Sequence, residues 1–193
     1  KDTSDSPVNE VSQFKQLFLD SVKLRMRSDV KIGSCLSGGL DSSSIVGAMR
    51  ALAPESRIET ITACSKHKQF DESLYAEMVT NFTDSNSSKI FPDAKKLSKI
   101  IDKIVWHQDE PFCSASIFAQ WCVFEKAKHL GIQVLLDGQG ADETHCGYNS
   151  YIRPYVIGQL KQKNLRSLWK NLKLIRQNRR KVIGSILRGL LDC

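Results

Sequence analysis

Lys31-Ile32-Gly33-Ser34-Cys35-Leu36-Ser37-Gly38-Gly39-Leu40-Asp41-Ser42-Ser43-Ser44 is the stretch on which the fold turns. Lys31 to Leu36 reads as a short strand. Ser37 to Asp41 is a tight glycine turn, and Ser42 to Leu52 has helical composition ending at Pro54. Glycines let a backbone approach an anion closely, and the free N–H groups of a helix start point at it. No lysine follows the glycines, so this is not the G-x-x-x-x-G-K-[ST] loop, and the spacing is not G-x-G-x-x-G either. A carboxylate, Asp41, stands in the anion loop instead. Two negative groups tolerate each other only with a cation between them, which points to Mg²⁺.

Outward from that loop the strand–helix alternation continues. Val11, Phe14, Leu17, Phe18, Val22 and Met26 recur at helical spacing, which predicts an amphipathic helix over 9–27. Arg57 to Cys64 alternates β-branched residues as a strand does, and Glu72 to Phe82 is helical. A third strand is expected near Ser88 to Phe91, then a helix from Asp93 to about Trp106. After Asp109-Glu110-Pro111, Ser114 to His129 reads as a long helix capped by Gly131. Ile132 to Leu136 is the clearest buried strand, and it delivers Asp137-Gly138-Gln139-Gly140-Ala141-Asp142-Glu143. The expected fold class is α/β: a doubly wound, mostly parallel sheet with helices on both faces. Ligands of such sheets bind beyond the carboxyl ends of the strands, where both glycine-rich loops fall. The expected organisation is a flexible segment over 1–8, one α/β domain over 9–152, and a basic helical tail over 153–193.

The 193 residues are 41% hydrophobic and 25% charged, a globular composition that argues against a disordered, fibrous or disulfide-dense chain. No run of 18 apolar residues occurs, and Lys1 to Pro7 lacks the apolar core of a signal peptide. None of the six cysteines has C-x-x-C or zinc-ligand spacing, so a reducing, cytoplasmic setting with no metal cluster is expected. The net charge of +7 is unevenly spread. Residues 1–150 carry 17 Lys/Arg against 20 Asp/Glu, whereas 151–193 carry 11 against Asp192 alone. The tail reads as a solvated helical face with Leu165, Leu168, Trp169, Leu172 and Ile175 as its buried stripe. It lacks the aromatic interleaving of an RNA-binding groove, so no nucleic-acid partner is expected.

Ser37-Gly38-Gly39-Leu40-Asp41-Ser42 resembles the pyrophosphate loop of the ATP pyrophosphatase superfamily. Gly138-Gln139-Gly140-Ala141-Asp142-Glu143 with Gly147-Tyr148 resembles the G-E-G-x-D-E…G-Y segment of asparagine synthetases. Phe70-Asp71-Glu72 and Asp109-Glu110-Pro111-Phe112 are similar to that family as well, and the likeness runs over about 10–152. The resemblance implies a nucleotide hydrolase-like α/β fold and a two-step ligase. Aspartate and ATP would give β-aspartyl-AMP and pyrophosphate; ammonia would then give asparagine and AMP. It places Ser37, Gly38, Gly39, Asp41 and Ser42 on the β,γ-phosphates and Leu36, Ala63, Cys64 and Gly138 about the adenosine, with Leu40 and Asp137 also binding ATP or its pyrophosphate. It further implies Mg²⁺ shared by Asp41 and Asp142, and catalytic roles for Gln139, Asp142 and Glu143.

The sequence also departs from that family. Gln139 stands where relatives have glutamate, and glutamine can orient a group but cannot accept its proton. His145-Cys146-Gly147-Tyr148 replaces Phe-Gly-Gly-Tyr, and 153–193 lacks the A-R-x-P-F-x-D stretch that carries a functional lysine. Glutamine-using relatives also begin with a glutaminase domain, for which there is no room here. The chain is therefore expected to be a fragment, with ammonia supplied by a separate domain or subunit. A homodimer is compatible with this reading. The alternatives from the residues are a β-lactam-forming or peptide-cyclising relative, a tRNA-modifying enzyme with the same loop, and a non-catalytic nucleotide-binding remnant.

Overall fold

The computed structural model describes residues 7–145, 147–163 and 169. The chain separates into two compact units, Lys1–Gly138 and Gln139–Cys193. The first holds a four-stranded sheet built from β1 (Ile32–Cys35), β2 (Glu59–Ala63), β3 (Asn86–Ile90) and β4 (Val134–Leu136). All pairings are parallel and the order is β3-β2-β1-β4. The chain therefore starts in the interior, steps outward twice, and returns to the far side of β1. Its helices are α1 (Pro7–Arg25), α2 (Leu40–Leu52), α3 (Ser73–Thr83), α4 (Ala94–Gln108) and α5 (Ser116–His129).

Helices cover both faces, as the pattern predicts. On one face Val46, Ala48 and Met49 of α2, Ala76 of α3 and Val22 of α1 pack with Leu36, Ile58 and Leu136. On the other, Val123 and Ala127 of α5 pack with Ile61 and Ile132, with Leu135 and Cys35 against them. The period-2 alternation of β4 explains the split: Val134 and Leu136 go to the first face and Leu135 to the second. A satellite cluster of Ile104, Phe118 and Cys122 joins α4 to α5.

The ends of elements follow local chemistry. Asp93 caps α4 by accepting from the Lys95 N–H at 3.1 Å, and Asp109 ends it in the left-handed region at φ +57°. Gly131, at φ +68°, follows α5 as the left-handed residue that closes a helix. Pro7 opens α1, a position where its missing N–H costs nothing. The α1 stripe is only partly as expected. Phe18, Val22 and Met26 enter the core, but Val11, Phe14 and Leu17 are exposed, because packing on α2 uses the second half of the helix.

The second unit contains the single helical turn α6 (Ala141–Thr144), a 3₁₀ turn over Asn149–Tyr151, and α7 (Ile152–Lys161). Of the stripe expected in the tail, Trp169 is described and is 74% exposed. Leu165, Leu168, Leu172 and Ile175, like residues 1–6 of the N-terminal segment, lie outside the described residues. No helix among the described residues is long and apolar enough to cross a membrane.

Candidate nucleotide site

The strand order reverses direction between β1 and β4, and in open parallel sheets a ligand crevice opens at that point beyond the strand carboxyl ends. The chain places its first glycine loop there, with Gly138 beside it. Leu36, 1% exposed, anchors the first: its side chain is in the core and its N–H donates to the Ile61 carbonyl at 3.0 Å. It can meet a ligand only through backbone. Gly38 then turns at φ +88°, and a Cβ there would lie 2.6 Å from the Ala76 nitrogen and 2.7 Å from Tyr75 Cβ. Only glycine fits this approach to α3.

Two hydroxyls hold the turn. The Ser42 Oγ accepts from the Ser37 N–H at 3.2 Å, donates to the Gly39 carbonyl at 3.3 Å, and lies 3.0 Å from the Ser37 Oγ. The Ser37 Oγ accepts from the Gly39 N–H at 3.1 Å. Ser42 is 7% exposed, so its hydroxyl shapes the loop from within. Gly39 is the cap residue of α2 and supplies no side-chain acceptor. The first N–H groups of α2 therefore have neither an intrahelical partner nor a side-chain cap. That is the arrangement an anion requires, and the dipole adds about 0.3–1 kcal/mol to it. Leu40, 83% exposed, and Asp41 stand in the first turn beyond the cap, so Asp41 is not the capping residue.

Gly138 packs against the first loop. A Cβ on it would meet the Ser42 nitrogen at 3.0 Å and Asp41 Cβ at 3.1 Å. Cys35, at the end of β1, stands one step beyond the Ser34–Leu136 pair, beside the Asp137 carboxylate. Burial first, and that carboxylate second, raise the pKa of Cys35 far above its ordinary value. It stays a neutral thiol and is no nucleophile. Ala63 is exposed at the end of β2, whereas Cys64 is buried. Of the two, only Ala63 has a side chain that solvent reaches freely. Burial raises the Cys64 pKa, and the neighbouring Asp71 charge adds to that.

Asp71 itself braces the rim. Its carboxylate accepts from the Ser73 hydroxyl at 2.8 Å, the Ser73 N–H at 3.3 Å and the Ser65 N–H at 3.4 Å. The Ser73 hydroxyl, and then these amides, hold its pKa below the ordinary carboxylate value. It thus ties the loop after β2 to the start of α3, the helix that touches Gly38.

The remaining sequence-predicted residues, Gln139, Asp142 and Glu143, fall in the second unit. Gly140, at φ +88°, turns the chain into α6, and the Gly147 N–H returns to the Asp142 carbonyl at 2.8 Å. The Asp142 carboxylate folds over Gly147, where a Cβ would lie 1.7 Å from its Oδ1. The Tyr148 hydroxyl donates to Glu143 Oε1 at 2.8 Å, and this bond raises the tyrosine pKa. The tyrosine ring meets Tyr151 edge-on at 5.7 Å. Tyr148 therefore supports Glu143.

Sequence reasoning missed Cys35 as a neighbour of Asp137, and Tyr75 and Ala76 as the floor under Gly38. The first pairing joins strands a hundred residues apart, and the second rests on backbone atoms that any residue type supplies. Among the described residues, no three His, Cys, Asp or Glu side chains converge on a metal position. Asp41 nevertheless has the donor chemistry Mg²⁺ takes: a half-exposed carboxylate beside an uncapped helix start, where the oxygens of a bound phosphate would complete the set. A shallow pocket of about 170 Å³ near Phe91, Asp93, Lys96 and His129 contains none of the residues above.

Comparison with known proteins agrees with the loops. A family model described as asparagine synthase matches residues 13–193. A Methanocaldococcus jannaschii protein assigned as a glutamine-hydrolysing asparagine synthetase is 37% identical over 145 residues, 75% of this chain and 28% of that protein. Asparagine synthetase [glutamine-hydrolyzing] 1 of Bacillus subtilis is 34% identical over 148 residues, 76% of this chain and 23% of its own length. Among solved structures, an NH3-dependent NAD synthetase from Campylobacter jejuni is similar at a TM-score of 0.47 and 15% identity. That match covers 71% of this chain and 60% of the other. The chain spans about a quarter of the length of the curated relatives it matches. With the family model covering nearly the whole sequence and the SGGLDS and DGQGADE loops both in place, this chain belongs to the asparagine synthase family.

Proposed function

We propose that the protein to which this chain belongs is an ATP-dependent amide-forming ligase that activates the side-chain carboxylate of aspartate. The observation that carries this reading is the uncapped start of α2 behind Gly38-Gly39, set at the sheet's switch point with Gly138 packed on it. Backbone N–H groups there would hold the β- and γ-phosphates of ATP. The Ser37 and Ser42 hydroxyls keep that cradle shaped before the nucleotide arrives. Asp41 would carry Mg²⁺, which would neutralise charge on the departing pyrophosphate. Ala63, Asp137 and Gly138 would border the adenosine.

In the first step an aspartate carboxylate oxygen attacks the α-phosphorus and pyrophosphate departs, leaving β-aspartyl-AMP. In the second, ammonia attacks the acyl carbon, loses a proton, and expels AMP to give asparagine. The relatives' glutamine-hydrolysing names support ammonia drawn from glutamine by another domain or subunit. Gln139 cannot take that proton, so its amide orients a reactant in this reading, while Glu143 is held by Tyr148.

The test is aspartate-dependent exchange of labelled pyrophosphate into ATP with Mg²⁺, on the wild-type chain and on Asp41→Ala. Exchange that requires aspartate and disappears in the variant is expected. Exchange with a different carboxylate keeps the chemistry and replaces the substrate; ATP binding without exchange leaves a nucleotide-binding remnant. Gln139→Glu is expected to change the rate by less than tenfold. A gain of about 10²–10⁴-fold would assign that position to acid–base work.

A further inference from the structure

The loop between β2 and α3 leaves the sheet at the exposed Ala63 and ends on the helix that seats Gly38. Lys66, His67, Lys68 and Gln69 within it are all exposed, so none of them packs its ends together. One carboxylate joins those ends instead. Asp71 Oδ1 accepts from the Ser65 N–H at 3.4 Å and from the Ser73 N–H at 3.3 Å, and its Oδ2 accepts from the Ser73 hydroxyl at 2.8 Å. Ser65 follows the end of β2, where the Cys64 N–H donates to the Ile90 carbonyl at 2.8 Å. Ser73 opens α3, and within one turn of it Tyr75 and Ala76 fill the space that a Cβ on Gly38 would need. Glu72, at the cap position, makes no side-chain cap bond, so Asp71 supplies the acceptor for the start of α3. Capping explains the bonds to Ser73. It does not require the bond to Ser65, which ties the helix start to a strand end.

We propose that Asp71 is a positioning residue of the nucleotide site: its carboxylate holds the end of β2, which borders the adenosine, and the start of α3, which seats the phosphate turn, at the spacing that one ATP molecule spans. This rests on the nucleotide-binding reading of that rim. ATP acts there as two linked contacts, adenosine on one wall and pyrophosphate on the other. Linkage adds affinity only while both walls are engaged at once. A residue that merely caps α3 would behave differently: its loss would lower stability and leave the ratio of affinities for ATP and its two pieces unchanged.

The experiment is competition against labelled ATP with Mg²⁺ on the full chain, at a temperature where each variant is folded, with ATP, AMP and pyrophosphate as competitors. Thermal unfolding is followed in parallel, and the variants are Asp71→Ala, Asp71→Ser and Asp71→Asn. Asp71→Ala is expected to weaken ATP about tenfold while AMP and pyrophosphate each stay within about twofold of wild type. Asp71→Ser keeps a hydroxyl that can accept from the Ser73 N–H but is too short to reach Ser65 as well. It should melt closer to wild type than alanine does and lose ATP affinity as alanine does. Asp71→Asn keeps an oxygen for both amides and an N–H for the Ser73 hydroxyl, so ATP affinity returns to within about threefold of wild type. Unchanged ATP affinity in Asp71→Ala, equal losses for ATP and its pieces, a serine variant that binds ATP like wild type, or an asparagine variant as weak as alanine overturns the positioning role and leaves the adenylation reading standing. Absence of ATP binding by the wild-type chain overturns both.

Discussion

Two glycines of the same helix–loop segment carry opposite predictions. Gly38 sits at φ +88° with the backbone of α3 closer than a Cβ can tolerate, whereas Gly47 lies inside α2 with nothing within 4 Å of its missing Cβ. Gly38→Ala must pay the left-handed penalty of about 1–2 kcal/mol and also push α3 away. It is expected to lower the melting temperature and weaken ATP binding more than tenfold. Gly47→Ala removes backbone freedom from the unfolded chain and should stabilise by about 0.5–1 kcal/mol with ATP affinity unchanged. Thermal melts and ATP titrations of both variants check the pair. Asp71 makes a prediction in pH. Its folded pKa is lowered, chiefly by the Ser73 hydroxyl, so the native state holds fewer protons than the unfolded one. Its stabilisation is fully present above the ordinary value of 3.8 and is lost as pH falls through the lower folded value. Wild type should therefore lose more stability than Asp71→Asn on acidification below about pH 4, as read by denaturant midpoints.

Among elements, the ends of α2 and α3 opposite the candidate site share one cation. Arg50 donates to the carbonyls of Thr83 at 2.6 Å, Asp84 at 2.8 Å and Ser56 at 3.0 Å, and also to that of Pro54. Thr83 and Asp84 close α3, and Pro54 and Ser56 follow the cap of α2, so the positive charge sits at both helix C-termini and complements both dipoles. Arg50→Ala is expected to cost about 1–3 kcal/mol in urea unfolding. Arg50→Lys should recover only part of it, because one ammonium cannot span carbonyls that a planar fork reaches. The elements themselves were legible in sequence because each has its own period and punctuation. All four strands and five flanking helices form where apolar spacing, Pro54, Asp93, Asp109 and Gly131 place them, within about two residues at most ends. The exception is instructive: Val11, Phe14 and Leu17 continue the α1 stripe but are exposed. Periodicity states which face of a helix is apolar, and it does not state how far the neighbouring helix extends to cover it.

For the whole molecule, legibility depended on range. Both loops were readable because glycine, serine and aspartate at fixed spacing have local reasons to be there. The placing of Cys35 beside Asp137 and the seat of Gly38 on Tyr75 and Ala76 were not, since they arise only once distant strands and helices meet. Charge is divided at this scale too, with the strongly basic segment following residue 150. If that segment served a tRNA substrate, exchange of pyrophosphate into ATP would rise on adding tRNA and the effect would fade steeply with salt. The expected outcome is exchange that is indifferent to tRNA at both low and high ionic strength.

The strand order has a temporal meaning as well. The two chain segments bordering the switch point, Ser34 and Leu136, are 102 positions apart, while β1, β2 and β3 follow one another closely. A chain emerging from the ribosome can assemble three strands and still possess only half a cradle, because the strand that closes it is made last. Joining contacts so far apart is the slow, entropically costly event in folding. Ability to retain ATP should thus be acquired in one late step of refolding, after most helical signal has already returned, and ligand capture would serve as a clock for completion of the sheet.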